Sequence, residues 1–256
     1  MNTLEKSVVT AMDGSEIELF PYLPYILQDV WEIGASPEII IDLVRKHAKE
    51  YPALKVLDLG CGKGAVSIKL AAKLKCHCYG IDAIKEFIEE AGHKAKEFGV
   101  DSLCKFEVND IRIKTRELFN FDIVILGAIG PVFGNYFSTL SILSKVLKQN
   151  GLIIIDDGHI ENGSDFIHPL MQKKEVILKQ ISDAGMDLID EVIIKNDEIK
   201  DLDDYILENL KKRCNELKEK YPEKISLFEN YIKKQEEEND ILETKVVCST
   251  MVIRNK

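Results

Sequence analysis

In the stretch VLDLGCGKGA, Val56 to Ala65, a single carboxylate stands just ahead of three glycines at every second position. Val56, Leu57 and Leu59 form the short apolar run that a strand covered on both faces requires. Gly60, Gly62 and Gly64 then let the backbone turn tightly against a ligand. Asp58 falls near the carboxyl end of that strand, within reach of whatever the turn holds, and its charge discriminates between ligands. An acid aimed at the following helix N-terminus repels a pyrophosphate and attracts a ligand that carries ammonium and sulfonium charges. A second cluster, Asp156, Asp157, Gly158 and His159, follows a later apolar run. A histidine beside a carboxylate can take a proton from an oxygen or nitrogen near neutral pH, so Asp157 and His159 are the candidate catalytic pair.

The elements that must position these groups alternate. Strands are expected at Val56–Leu59, Cys76–Ile81, Leu103–Val108, Phe121–Leu126 and Leu152–Ile155, with helical patterns between them. Asp82 ends the second strand, 22 residues after Gly60, a spacing that suits a carboxylate accepting ribose hydroxyls. DLGCGKG resembles the first motif, D/E-x-G-x-G-x-G, of the class I S-adenosylmethionine-dependent methyltransferases. The resemblance implies S-adenosylmethionine as cofactor and S-adenosylhomocysteine as product. It implies that Asp58, Gly60 and Gly62 hold the cofactor's methionine end, that Asp82 and Ala83 lie at the ribose, and that Asn109, Asp110 and Ile111 lie at the adenine. Gly127, Gly130 and Pro131, in GAIGPVFGN after the fourth strand, are expected to let the backbone approach the methionine end closely. That loop lacks both the N-P-P-Y type box of the enzymes acting on exocyclic amines and the strand-end aspartate of the magnesium-dependent catechol type.

The fold expected is a doubly wound, mainly parallel α/β sheet. The resemblance implies seven strands in the order 3-2-1-4-5-7-6. A helical segment over residues 1–50 precedes a Rossmann-like domain over 51–256. Its first twenty residues read as a weakly structured or extended arm; Pro21 and Pro24 permit a helix start, and Ser36 caps a helix opened by Pro37. Tyr22, Tyr25 and Trp31 are candidates for the acceptor pocket, against plain core packing. Phe133 to Leu147 reads as an amphipathic helix stopped by Gly151, and Leu170 to Ala184 as another stopped by Gly185. From 197 to 240 a Lys/Glu-rich helical hairpin is inserted before the last strand, either as a cap on the acceptor or as a homodimer contact.

The formal charge of -10 argues against broad nucleic-acid or anionic-membrane surfaces, and 45% apolar residues suit a globular core. No apolar stretch is long enough to span a bilayer, and the start lacks the pattern of a secretory leader, so a cytoplasmic location is expected. Six cysteines without C-x-x-C spacing read as buried free thiols, and Cys76-His77-Cys78 is not expected to bind zinc, because period two turns His77 away from both sulfurs. No metal site is expected. The expected function is transfer of a methyl group to an oxygen or nitrogen nucleophile, most simply of a small molecule. G-C-G-K-G-A also satisfies the dinucleotide spacing, which leaves an NAD-dependent oxidoreductase as the alternative. A regulatory protein that binds S-adenosylmethionine without turnover is the third reading.

Overall fold

A computed structural model describes residues 3–255. In chain order its elements are α1 (Leu4–Ala11), α2 (Leu23–Ile26), α3 (Pro37–His47), β1 (Lys55–Leu59), α4 (Ala65–Leu74), β2 (His77–Asp82), α5 (Lys85–Glu97), β3 (Cys104–Val108) and α6 (Ile111–Lys114). Then follow β4 (Phe121–Gly127), α7 (Tyr136–Leu143), β5 (Leu147–His159), α8 (Lys174–Asp183), β6 (Met186–Ile193), α9 (Asn196–Lys220), α10 (Ile225–Thr244) and β7 (Val247–Asn255). Among the described residues the strands form one seven-stranded sheet in the order β3-β2-β1-β4-β5-β7-β6. β1 to β5 pair in parallel, and β7 runs antiparallel to both β5 and β6. This is the expected fold, with the helical hairpin α9–α10 between β6 and β7.

Three apolar cores hold it together. On one face of the sheet Ile40 and Val44 of α3 and Ile68 and Ala71 of α4 pack on Val56, Ile123 and Ile154. On the other, Leu140 and Leu143 of α7 and Ile177 and Ile181 of α8 pack on Leu57, Val124 and Ile153. Alternate residues of β1 and β4 thus feed opposite cores, the consequence of period two in a sheet covered on both sides. The third core lies off the sheet, where Val9, Leu19, Leu23 and Ile26 meet Leu210, Cys214, Leu217, Phe228 and Tyr231, with Phe87 of α5 as the bridge. The N-terminal segment and the hairpin therefore bury each other.

Five boundaries differ from expectation. The first twenty residues are not an extended arm: Thr3 caps α1 by accepting the Lys6 amide, and Val9 buries the helix against the third core. The aromatic segment supports only a 3-10 turn at Ile17–Tyr22 and the single turn α2, so Trp31 lies beyond any helix. Leu147 to Gly151 belongs to β5, because α7 ends at Leu143. Gly151 sits opposite an irregularity in the β4–β5 pairing, where a Cβ would lie 3.1 Å from the carbonyl oxygens of Asp122 and Lys148. Asp156 to His159 likewise continue β5 and pair with Thr250 to Val247. Finally, α8 begins at Lys174, so Leu170 to Lys173 are not helical.

Candidate functional site

The carboxyl ends of β1, β4 and β5 open into a cavity of about 890 Å³, roofed by the N-terminal segment and by α9 and α10. Asp58, Gly60, Gly62, Gly127, Asp156 and Asp157 all line it. A side cavity of about 220 Å³ shares Asp156, Asp157 and Gly158 with the larger one.

The glycine turn is braced from within. Gly60 and Cys61 both donate their amides to the Ile81 carbonyl, at 2.8 and 3.1 Å, and Gly64 donates to the Cys61 carbonyl at 2.8 Å. The Gly62 amide donates to Asp82 Oδ2 at 2.9 Å, and the Ile84 amide to Asp82 Oδ1 at 2.9 Å. The turn thus offers no ring of free amides to a diphosphate. Gly62 has a left-handed φ of 51°, and a Cβ built there would meet nothing within 4 Å, so its bare backbone faces open space. Gly60 is packed instead: its Cβ would lie 2.6 Å from Ile129 Cγ2.

Asp58 is 3% exposed and accepts a hydrogen bond from Ser67 Oγ at 2.7 Å, which sets its carboxyl at the start of α4. Burial pushes its pKa up to about 6, against the Ser67 hydrogen bonds and with the help of the Asp82 charge. An acid at a helix N-terminus occupies the place where a dinucleotide carries its phosphates. The same burial raises Asp82.

Asp156 and Asp157 are also pushed up to about 6 by burial. Thr250 Oγ1 donates to Asp156 Oδ2 at 2.6 Å; the Tyr136 hydroxyl donates to Asp157 Oδ2 at 3.1 Å and the Gly158 amide to Asp157 Oδ1 at 2.8 Å. His159, the other candidate catalytic residue, lines neither cavity. It is 6% exposed, its Nδ1 has no partner, and burial beside Lys174 lowers its pKa, which keeps the ring neutral at neutral pH. Continuation of β5 carries it past the cavity rim.

The adenine and ribose candidates stand behind the wall. Asp82, Ala83, Asn109, Asp110 and Ile111 do not line the cavity. Asp110 caps α6 and grips the Arg112 guanidinium, with Nη2 at 2.7 Å from Oδ2, and Arg112 Nη1 donates to Ser7 Oγ of α1 at 2.8 Å. Arg112, which sequence reasoning passed over, is the residue of this group that reaches the cavity.

Of the three aromatic acceptor candidates only Trp31 lines the cavity. Tyr22 packs edge-on against Tyr221 and Phe228 in the third core, and Tyr25 is 41% exposed with its hydroxyl donating to Glu216. Core packing thus accounts for Tyr22, and the outer face of α9 for Tyr25. Trp31 Nε1 donates to the Lys63 carbonyl at 3.1 Å. Lys63, only 1% exposed, donates from Nζ to the Leu27 carbonyl at 2.8 Å and pairs with Glu90 at 2.9 Å. The glycine turn and the N-terminal segment are therefore locked together by one buried lysine. Gly34 and Gly127 complete the seam, since a Cβ on either would press on Ala128 or Ala35 at 2.7 and 3.0 Å. Gly127 thus packs on Ala35 in this seam and also lines the cavity.

Among the described residues, no group of three or more His, Cys, Asp or Glu side chains is arranged to hold a metal, and no helix is long and apolar enough to cross a membrane.

Comparison with known proteins gives this geometry a context. The family described as "Methyltransferase domain" matches residues 51–240. A ubiquinone biosynthesis O-methyltransferase of Rickettsia canadensis is 31% identical over 121 residues, which are 46% of this chain and 48% of that protein. The match thus spans about half the length of that relative. A SAM-dependent methyltransferase from Geobacter sulfurreducens, solved in complex with S-adenosyl-L-homocysteine, superposes with a TM-score of 0.75 at 16% identity, covering 92% of this chain and 98% of that one. Another from Thiobacillus denitrificans, also with S-adenosyl-L-homocysteine, gives 0.73 at 15% identity, covering 91% and 98%.

Proposed function

We propose that this chain, which belongs to the methyltransferase domain family, moves a methyl group from S-adenosylmethionine to an oxygen or nitrogen nucleophile of a small molecule. The observation that carries the reading is the pairing of a buried carboxyl, Asp58, with a bare backbone at Gly62 on the wall of one cavity. Asp58 would hold the ammonium group of the cofactor's methionine, and the bare backbone at Gly62 leaves room for its backbone-like end, with Gly60 packed on Ile129 beside it. Asp82, with Ala83 beside it, would accept from the ribose hydroxyls, and Asn109, Asp110 and Ile111 would flank the adenine once Arg112 yields. S-adenosylmethionine would supply a methyl group on a sulfonium, whose carbon a correctly placed nucleophile can attack in line while S-adenosylhomocysteine leaves.

The chain's own work is then orientation and the exclusion of water, which at best lowers a barrier by about 7 to 11 kcal/mol. Roofing by the N-terminal segment and the hairpin supports this, as does a cavity of about 890 Å³, a size suited to a small acceptor beside the cofactor. Asp157 would receive the acceptor's proton. It lines the cavity and is held by Tyr136 and the Gly158 amide. Unpaired Cys61, Cys76, Cys78, Cys104, Cys214 and Cys248 support a reducing, cytoplasmic setting. The dinucleotide alternative is disfavoured by the turn's amides, already used internally, and by the acid at the start of α4.

Calorimetric titration of the whole chain with S-adenosylhomocysteine and with NAD tests the cofactor. Binding of the first and not the second is expected; binding of NAD alone would end this reading. Incubation with S-adenosylmethionine and a cell extract should then yield a metabolite heavier by one methylene unit, detected by mass spectrometry. In the Asp157→Asn variant that product should form at least tenfold more slowly.

A further inference from the structure

The end of the large cavity walled by α9, α10 and the turn after α1 is acidic in a way that the proposed methyl transfer does not use. Asp13 follows α1 with a left-handed φ of 57° and lines the cavity, as do Asp203 of α9 and Glu238 of α10. Gln235 fixes the turn by donating from Nε2 to the Met12 carbonyl at 3.1 Å and to Asp13 Oδ2 at 3.3 Å. Asp203 Oδ2 is cut off from solvent and has no hydrogen-bond partner. Tyr231 lines the same wall. It is 4% exposed, and among the described residues its hydroxyl takes part in no hydrogen bond.

Among the described residues that line the cavity, the lysine and the arginine are held by partners other than these acids. They are Lys63 and Arg112; the first is engaged by Glu90 and the Leu27 carbonyl, the second by Asp110 and Ser7. His168 Nε2 lies 3.8 Å from Glu238 Oε2. Lys200, the lysine nearest in charge to Asp203, pairs with Asp204 and Glu243 and is half exposed. Desolvation first pushes Asp13 and Asp203 up to about 7; repulsion from Glu238 comes next for Asp13, and repulsion from Glu243 and Asp204 for Asp203. The Asp203 oxygen, cut off from solvent without a partner, is costly when charged, and a ligand that brings a positive charge removes that cost, with Asp13 standing open to the cavity beside it. Leu202, Ile206 and Leu242 supply apolar wall beside the acids.

We infer that this end of the cavity binds the ammonium group of an amine acceptor with an apolar body, held among Asp13, Asp203 and Glu238 with the Tyr231 hydroxyl as a further acceptor for its N–H. This rests on the methyltransferase reading for the word acceptor, but the preference for a cation does not. Two partners of the ligand are thus fixed: charge at the acids, hydrocarbon along α9 and α10.

The test is isothermal titration of the whole chain with n-octylamine, n-octanol and octanoate at pH 8, with and without S-adenosylhomocysteine. Octylamine should bind at least tenfold more tightly than either matched probe. The variant Asp13→Asn/Asp203→Asn should bind octylamine no better than octanol while its affinity for S-adenosylhomocysteine stays within twofold. At pH 7 octylamine should also release protons, seen as a dependence of the heat on the buffer. The ammonium draws Asp13 and Asp203 to their charged forms against Glu238 and Tyr231 of α10, Asp204 and Glu243 nearby, with Lys200 and His168 as the facing bases. Equal affinity of the wild-type chain for octylamine and octanol overturns the inference, as does a double variant that folds, binds S-adenosylhomocysteine and keeps the amine preference. Loss of S-adenosylhomocysteine binding by the wild-type chain would instead sink the methyltransferase reading and leave the amine comparison to decide this one.

Discussion

Asp58 is held protonated by its surroundings far above the range in which an exposed aspartate ionises. Its unfolded-state value lies near 3.8 and its folded value at about 6. Between the two the native state binds more protons, so stability falls as pH rises through that window and the loss is complete above it. Asp58→Asn should therefore stabilise the ligand-free chain at pH 8 by about 1 to 3 kcal/mol and leave it unchanged at pH 4. The same variant should bind S-adenosylmethionine at least tenfold more weakly. Urea titrations at the two pH values, with calorimetry at pH 8, read both effects; a variant less stable at pH 8 would refute the assignment. Two glycines separate function from packing in a similar way. At Gly62 a Cβ meets nothing, so Gly62→Ala should cost only the left-handed strain of about 1 to 2 kcal/mol and act mainly on cofactor affinity. At Gly80 a Cβ would lie 2.7 Å from Phe106 and 2.8 Å from the Cys61 sulfur, so Gly80→Ala should cost about 1 to 3 kcal/mol and leave affinity in the folded protein within about threefold. Asp58 and Gly62 were legible in the sequence because strand, turn and helix are contiguous there. Asp13 and Arg112 were not. Gln235 fixes Asp13 and Ser7 accepts from Arg112, partners that no local pattern brings together.

At the level of elements, period two and period 3.6 were enough to place the core strands and most helices, since a sheet covered on both faces writes its pattern in continuous apolar runs. The errors fell where two periods overlap. Phe133, Tyr136, Phe137, Leu140, Leu143 and Leu147 continue a helical spacing in letters, but the chain leaves the helix at Leu143 and pairs Leu147 with Phe121. The helix α1 was hidden because its single buried residue, Val9, gives too narrow a stripe to read without its partner surface. How the N-terminal segment is tied down is a property of one side chain. Lys63→Met removes the donor to the Leu27 carbonyl and the partner of Glu90 while keeping the bulk against Phe87. A buried carbonyl left without a donor costs about 1 to 3 kcal/mol, and Glu90, one third exposed, can turn to water. The variant should thus fold, with residues 15–35 opening more often than the sheet. Limited proteolysis should cut first within that segment in the variant and not in the parent; cleavage first at a sheet loop would show that Lys63 does not hold the segment.

For the whole molecule, the sheet and the roof are two layers with separate cores. Val9, Leu19, Leu23, Leu210 and Phe228 bury one another, while Ile84 and Phe87 of α5 join that core to the body of the sheet. The roof buries its own apolar core, and the cavity lies between it and the carboxyl ends of the strands. Such a construction lets a roof open as a unit without unfolding the sheet beneath. The polypeptide pays loop-closure entropy to build it, since α1 and α10 lie near opposite ends of the sequence, which explains why their partnership was invisible to any local reading. Amide hydrogen exchange should accordingly divide the chain in two. Residues 4–30 and 199–240 should exchange together, with a lower free energy of opening than Lys55–Leu59 and Phe121–Gly127. The glycine turn below and the N-terminal segment above line the same cavity, so S-adenosylhomocysteine bound there would bridge both layers and should slow the roof amides by at least tenfold at saturation. Equal protection of roof and sheet before ligand is added would mean the third core is not an independent unit. Protection of the sheet alone on binding would mean the roof takes no part in closing the site.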